Sequence, residues 1–223
     1  MNRTALICTA SACLTILGSA LLIAGPLDPP AGAVASTLKT LGEVEPRIAI
    51  NAVNTPGDAN SIFRITQPGA YYLTANIVGV VGKHGVEIAA SGVTVDLNGF
   101  DLAGVPAMGN FDGVSVTAAG LKNIAVLNGS VRAWGGGGVN LATPSADNCR
   151  VQNVLASANG GNGISVGGGG TLAHCSSASN AAIGIVAGQS STLTDCAARG
   201  NSATGISASI GSTITNCSAV SNG

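Results

Sequence analysis

The sequence predicts an all-β fold, a parallel coil in which each turn of chain lies on the one before it, and three observations predict it. The first is a repeat. "TLAHCSSASNAAIGIVAGQSS" runs from Thr171 to Ser191 and "TLTDCAARGNSATGISASIGS" from Thr192 to Ser212. Both open Thr-Leu and carry Cys fifth, Asn tenth and Gly-Ile fourteenth and fifteenth, and a third copy, "TITNCSAVSNG", starts at Thr213. A fixed period of this size marks a solenoid. The second is the pattern within a unit: Leu193 lies between two threonines, Cys196 and Ala198 alternate next, and Ile206 and Ala208 follow Gly205. Three short period-2 strands separated by Gly, Asn, Asp and Ser corners follow from this, whereas helical repeats need longer segments of better helix formers. The third is composition. Of 223 residues 33 are Gly, 46% are apolar and only 3% are aromatic, so the interior is narrow and built of small aliphatic side chains. That much apolar content excludes a disordered chain.

In chain order, residues 1–24 come first. "MNRTALICTASACLTILGSALLIAG" has one Arg and then an uncharged apolar run from Ala5 to Ala24. A basic start, an apolar core and nearby small residues describe a secretory signal, with cleavage after Ala20, after Ala24 or at Ala33-Val34-Ala35. A run of this length just reaches across a bilayer, but Thr9, Ser11, Thr15 and Ser19 dilute it. Lipid attachment at Cys8 or Cys13 is disfavoured because the run continues past both. The expected location is therefore secreted or cell-surface, with no membrane association once the signal is removed. Residues 25–61 read as a Pro/Gly linker, "GPLDPPAGAVAST", and an N-terminal cap, with "LKTLGEVEPRIAI" as a short helix or lid.

Residues 62–223 are the coil. Gly-plus-aliphatic pairs stand at Gly85-Val86, Gly113-Val114, Gly138-Val139, Gly163-Ile164, Gly184-Ile185 and Gly205-Ile206, so the early turns carry small insertions and the late ones are minimal. Three inward columns align across the turns: Leu97, Val126, Val151, Leu172, Leu193 and Ile214; then Phe100, Gly129, Val154, Cys175, Cys196 and Cys217; then Leu102, Val131, Ala156, Ser177, Ala198 and Ala219. Asn159, Asn180, Asn201 and Asn222 form a corner ladder, because stacked Asn side chains bond their equivalents one turn away and Asn tolerates the left-handed conformation of a sharp corner. Cys175, Cys196 and Cys217 stack in register; they are expected to be buried thiols acting as small hydrophobes, with a Cys175–Cys196 bridge as the alternative. The copy from Thr213 stops about halfway round. Since a solenoid needs a terminal cap, the chain is expected to be a fragment or an incomplete gene product, or to cap itself by association through that turn.

"ITQPGAYYLTANIVGVVGKHGVEIAASGVTVDLNGF", followed by C-x4-N-x3-G-I turns, resembles the right-handed parallel β-helix proteins of the pectate lyase-like superfold. More narrowly, it is similar to exported β-helix repeat proteins of environmental bacteria, planctomycetes among them. The expected fold is therefore a right-handed parallel β-helix of about six turns, 21–28 residues each, with an N-terminal cap. The resemblance implies that any substrate lies along the sheet whose strands begin at the Gly-plus-aliphatic pairs.

The outward positions of that sheet read Glu87, Ser115, Asn140, Ser165, Val186 and Ser207. One acid in six makes neither a calcium cluster nor the carboxylate pair of a glycoside hydrolase. The entering loops are richer: Lys83, His84, Asp112, Arg132 and Trp134, with Glu87, are the candidate carbohydrate-binding residues, Trp134 stacking on a sugar and Arg132 or Lys83 meeting a uronate carboxylate. As solvated loop residues these would do nothing. His174, in register with Asn153, Asp195 and Asn216, reads as a corner hydrogen bond to Asp195, and Asp96 and Asp101 as exposed strand residues. "WGGGG" and "GGGG" lack the context of a phosphate loop, and no metal or catalytic residue is assigned.

A net charge of −1 with 9% charged residues leaves no basic footprint for nucleic acid or an anionic membrane. The leading expectation is a non-catalytic exported scaffold, extracellular or on the cell surface, with a structural or polysaccharide-binding role and no cofactor; its expected partners are extracellular polysaccharide or a surface protein. The alternatives are a polysaccharide lyase or glycoside hydrolase, with Ca²⁺ entering only under that reading, and a surface adhesin.

Overall fold

The computed structural model describes residues 45–143 and 145–223. The expected signal sequence, the Pro/Gly linker and the residues of the expected helix or lid before Glu45 lie outside them. Every regular element among the described residues is a β-strand. The strands form a parallel β-solenoid of about seven turns with three faces.

One face is a seven-stranded sheet, Ser61–Ile65, His84–Ile88, Val114–Val116, Val139–Leu141, Ile164–Val166, Ile185–Ala187 and Ile206–Ala208, stacked in that order. The other two faces belong to a thirteen-stranded sheet that bends, because Ala125–Arg132 and Arg150–Ser157 run through the corner that the later turns break into two strands. Leu121–Lys122 and Ala146–Asp147 add a two-stranded sheet on the insertion-bearing side. The coil has one turn more than the Gly-plus-aliphatic pairs count. In its first turn Phe63 pairs with Val86, and Ile62-Phe63 stands where later turns have Gly-plus-aliphatic. Ile48–Ala49, N-terminal to residue 62, pairs in parallel with Tyr71–Tyr72.

The interior is the set of inward columns. Val86, Val114, Val139, Ile164 and Ile185 stack on one face, and Val126, Val151, Leu172 and Leu193 on another, all buried. Each such side chain contributes roughly 1.5–3 kcal/mol of burial. The early register differs from the expected one: Val95, not Leu97, pairs with Val126. Two consecutive left-handed residues, Asn98 and Gly99 (φ 53° and 80°), add a kink that drops Leu97 onto Gly129, where a Cβ would come within 2.5 Å of the Leu97 Cβ. Leu97 is fully buried and Phe100 only partly so.

The corners are set by left-handed residues, and the Asn ladder is not among them. Ala158, Ser179 and Ser221 take φ of 54°, 56° and 55°, each one residue before a ladder Asn, and Gly200 takes 63°. This frees the Asn side chain to turn inward. The Asn180 Nδ2 donates to Asn201 Oδ1 (2.9 Å), which also accepts the Asn180 backbone N–H (3.1 Å). The same pair of bonds joins Asn159 to Asn180 and Asn201 to Asn222. The ladder also explains the glycines beside it: a Cβ on Gly184 would lie 2.6 Å from the Asn201 Nδ2 and 2.5 Å from the Gly205 carbonyl.

Cys175, Cys196 and Cys217, with Cys149, are free thiols. The Cys175 and Cys196 thiols donate to the Ala173 and Thr194 carbonyls, both at 3.3 Å. In-register side chains point the same way, which places each sulfur over a backbone carbonyl of its own turn.

Candidate functional site

The outward column of the seven-stranded sheet runs Arg64, Glu87, Ser115, Asn140, Ser165, Val186 and Ser207, each paired with the next. Alternation along each strand fixes this: Val86 and Ile88 point in, so Glu87 points out. Arg64 belongs to the turn the sequence reading did not count. A second column enters the same face three residues earlier, as His84, Asp112 and Gly137.

Two of the predicted residues, His84 and Asp112, are joined directly. The Asp112 backbone N–H donates to His84 Nδ1 (2.9 Å), which places the imidazole proton on Nε2. The ring meets Phe111 edge-on at 5.0 Å. The Asp112 carboxylate accepts the Gly137 N–H (2.5 Å) and the Asn140 side-chain amide (3.1 Å). Asn140 Oδ1 in turn accepts from the Ala142 and Thr143 N–H groups at 3.3 and 3.2 Å. The amide is thereby fixed from both ends.

Nearer the N-terminal end, Asp58 organises the cations. Its carboxylate accepts from the Asn60 and Ser61 N–H groups at 2.8 and 2.9 Å and pairs with Arg64. Those backbone donors and the guanidinium hold its pKa down at about 2. The Lys83 ammonium donates to the Asp58 carbonyl. Arg64 also faces Glu87 Oε2, at 3.5 Å. Glu87 is 9% exposed and Ser115 3%. Glu87 Oε2 and Ser115 Oγ are closed from solvent and have no hydrogen-bond partner.

Along the same face lies a groove. A hollow of about 250 Å³ is lined by Asn110, Asp112, Asn140, Thr143, Asn162 and Ser165. A second, of about 400 Å³, is lined by Ser145, Asp147, Gly168, Gln189 and Ser209, and both hollows reach Ala142 and Val186. The Asn162 side-chain amide donates to Ser165 Oγ at 3.2 Å. Amides, hydroxyls and carboxylates share the walls of these two adjoining hollows with Ala142, Val166, Val186 and Ala187.

The remaining predicted residues lie elsewhere. Trp134 is 1% exposed, and its indole N–H donates to the Leu102 carbonyl at 3.0 Å. It is a core residue with no free face for a sugar ring. Arg132 is exposed but sits on the other sheet, where its Nε donates to Asp101 Oδ2 at 2.8 Å. Asp101 also accepts from Ser130, and Asp96 from Arg47, Asn98 and Asn128, so neither acid is a bare strand residue. His174 Nδ1 stands 3.7 Å from Asp195 Oδ2, an ion-pair separation rather than the expected hydrogen bond. Arg64, Asp58 and Asn162 were missed. Asn162 was findable, since it sits three residues before Ser165 as Asp112 does before Ser115.

Among the described residues no three His, Cys, Asp or Glu side chains converge as metal ligands, and no helix is long and apolar enough to cross a membrane. Comparison with protein-family models, with curated proteins and with solved structures found no match to this chain.

Proposed function

We propose that this chain is an exported β-solenoid scaffold of the pectate lyase-like type that holds a polysaccharide, without cleaving it, along the outer face of its seven-stranded sheet. What supports this is the pair of adjoining hollows that share Ala142 and Val186 and span neighbouring turns, with Asp112, Asn140, Ser165, Asp147 and Gln189 offering hydrogen-bonding groups among apolar walls. A sugar chain is a linear array of hydroxyls, and turns stacked about 4.8 Å apart offer it a linear array of partners. Glu87 argues for binding over hydrolysis. A two-carboxylate mechanism needs a second acid facing the first, and the sheet neighbours of Glu87 are Arg64 and Ser115. The export expected from the uncharged apolar run Ala5 to Ala24 fits such a ligand.

Affinity electrophoresis through gels containing neutral, uronic and amino polysaccharides tests this, run beside an assay for new reducing or unsaturated ends with and without Ca²⁺. Retardation by at least one polymer with no new ends is expected. New ends above background would replace the binding reading with a catalytic one, and migration unaffected by every polymer would remove it.

A further inference from the structure

We infer that the two hollows select against acidic saccharides, so that the polymer held on this face is one without carboxylate groups. The inference rests on the saccharide reading and names its ligand class.

The walls are negative. Asp112 stands in the first hollow and Asp147 in the second, and among the described residues no Lys, Arg or His lines either. Asp147 is exposed, accepts from the Ser145 hydroxyl at 3.4 Å, and among the described residues forms no ion pair. It leans over the following turn, where a Cβ on Gly168 would stand 3.5 Å from its Oδ1. Lys122, its strand partner, belongs to the turn before, whereas the hollow runs on through Gly168, Gln189 and Ser209. His84 lies 3.8 Å from Asp112 Oδ2, but the negative charge of the second hollow does not depend on it.

The cations that the sequence offered to a uronate are committed elsewhere. Lys83 donates to the Asp58 carbonyl, and Arg132 pairs with Asp101 on the other sheet. Binding a carboxylate calls for charged or well-aimed N–H donors. In the first hollow the Asn140 amide is spent on Asp112 and the Asn162 amide on Ser165. A uronate laid along this face would meet carboxylates of its own sign, and like charges repel. A sugar without acidic groups brings hydroxyl donors for Asp112 and Asp147 and C–H faces for the partly exposed Ala142 and Val186.

Titration calorimetry in low-salt buffer free of divalent cations tests this with two matched pairs of oligomers of equal length. One pair is β-1,4-linked glucose against β-1,4-linked glucuronate; the other is α-1,4-linked galacturonate, fully methyl-esterified against the free acid. Within a pair that binds, the uncharged member should bind about tenfold more tightly. Asp147→Asn, which keeps the shape of an exposed side chain, should narrow that gap, and added salt should narrow it in the unaltered chain even if the variant does not fold. An acidic member that binds as tightly as its uncharged partner overturns the selectivity and leaves the saccharide reading standing. A gap unmoved by both salt and Asp147→Asn also overturns it, since the preference would then not be one of charge. If none of the four probes binds, both fall.

Discussion

Trp134 occupies, one turn earlier, the place that Asn159 holds in the asparagine ladder, and its backbone N–H donates to the Asn159 Oδ1 at 3.1 Å. The ladder therefore ends on an indole rather than an amide. The ring fills the space beside Gly85 and Gly113, where an added Cβ would come within 3.0 Å and 2.9 Å of it. Trp134→Ala should leave a void spanning two turns and cost about 3–5 kcal/mol in urea unfolding. Oligosaccharide affinity of the folded fraction should not change, because Trp134 has no surface in the groove. A variant as stable as the original would show that the indole is not the plug described.

The ladder itself is a polar network inside the coil. Asn180 Oδ1 accepts two bonds from Asn159, and its amide reaches Ser177 Oγ and Asn201 Oδ1, both at 2.9 Å. Asn180→Ala leaves the buried Asn159 N–H without a partner, a loss of roughly 1–3 kcal/mol. Chemical denaturation should show this, together with faster amide exchange at Asn159. Exchange unchanged at that position would mean the backbone bond is made elsewhere.

Acid should loosen the first turn before the rest. Asp58 titrates at about 2 in the folded chain, below the unfolded value near 4. A depressed carboxylate stabilises the folded state above its unfolded pKa and loses that contribution as pH falls through the folded one. Protection of Ser61–Ile65 in hydrogen exchange should thus be complete above about pH 4 and decline towards pH 2, and Asp58→Asn should flatten the decline. A decline that persists in the variant would assign the acid sensitivity to another group.

Two buried thiols, Cys149 and Cys196, should be inert. Burial pushes the Cys149 thiol above its ordinary range, and the neighbouring Cys175 thiol together with burial does the same to Cys196. Thiolate is the reactive form, so iodoacetamide in mildly alkaline buffer should leave Cys149 and Cys196 unmodified by mass spectrometry until the chain is unfolded. Rapid labelling of either in the native state would contradict the burial described.

Much of the coil was legible because its late turns share one length: residues Thr171–Gly223 place equivalent positions at a constant offset, and inward and outward positions then follow from alternation. The first turn was not legible, because Ile62-Phe63 carries no glycine and so escapes a count built on Gly-plus-aliphatic pairs. Arg64, the cation beside Glu87, was lost with it. Trp134 was misread for the opposite reason. Its Gly-rich neighbours read as a loop, although its distance to Asn159 equals that turn's repeat and so places it on the inward ladder. The slip at Leu97 came from an extra corner kink at Asn98-Gly99, which spacing does not reveal. The charge pairing that leaves Glu87 Oε2 without a donor depends on side-chain directions from three turns.

Amide chemical-shift mapping during titration with the oligomer that binds most tightly shows whether the outer face of the seven-stranded sheet carries the saccharide. Perturbations should concentrate in Asp112, Val139–Leu141, Ile164–Val166 and Ile185–Ala187, and Val186→Tyr, which fills the shared wall of both hollows, should abolish them while the fold persists. Perturbations confined to the outer threonines of Thr171–Ala173, Thr192–Thr194 and Thr213–Thr215, or saturable binding that Val186→Tyr leaves intact, would place the ligand on another face and rule this one out.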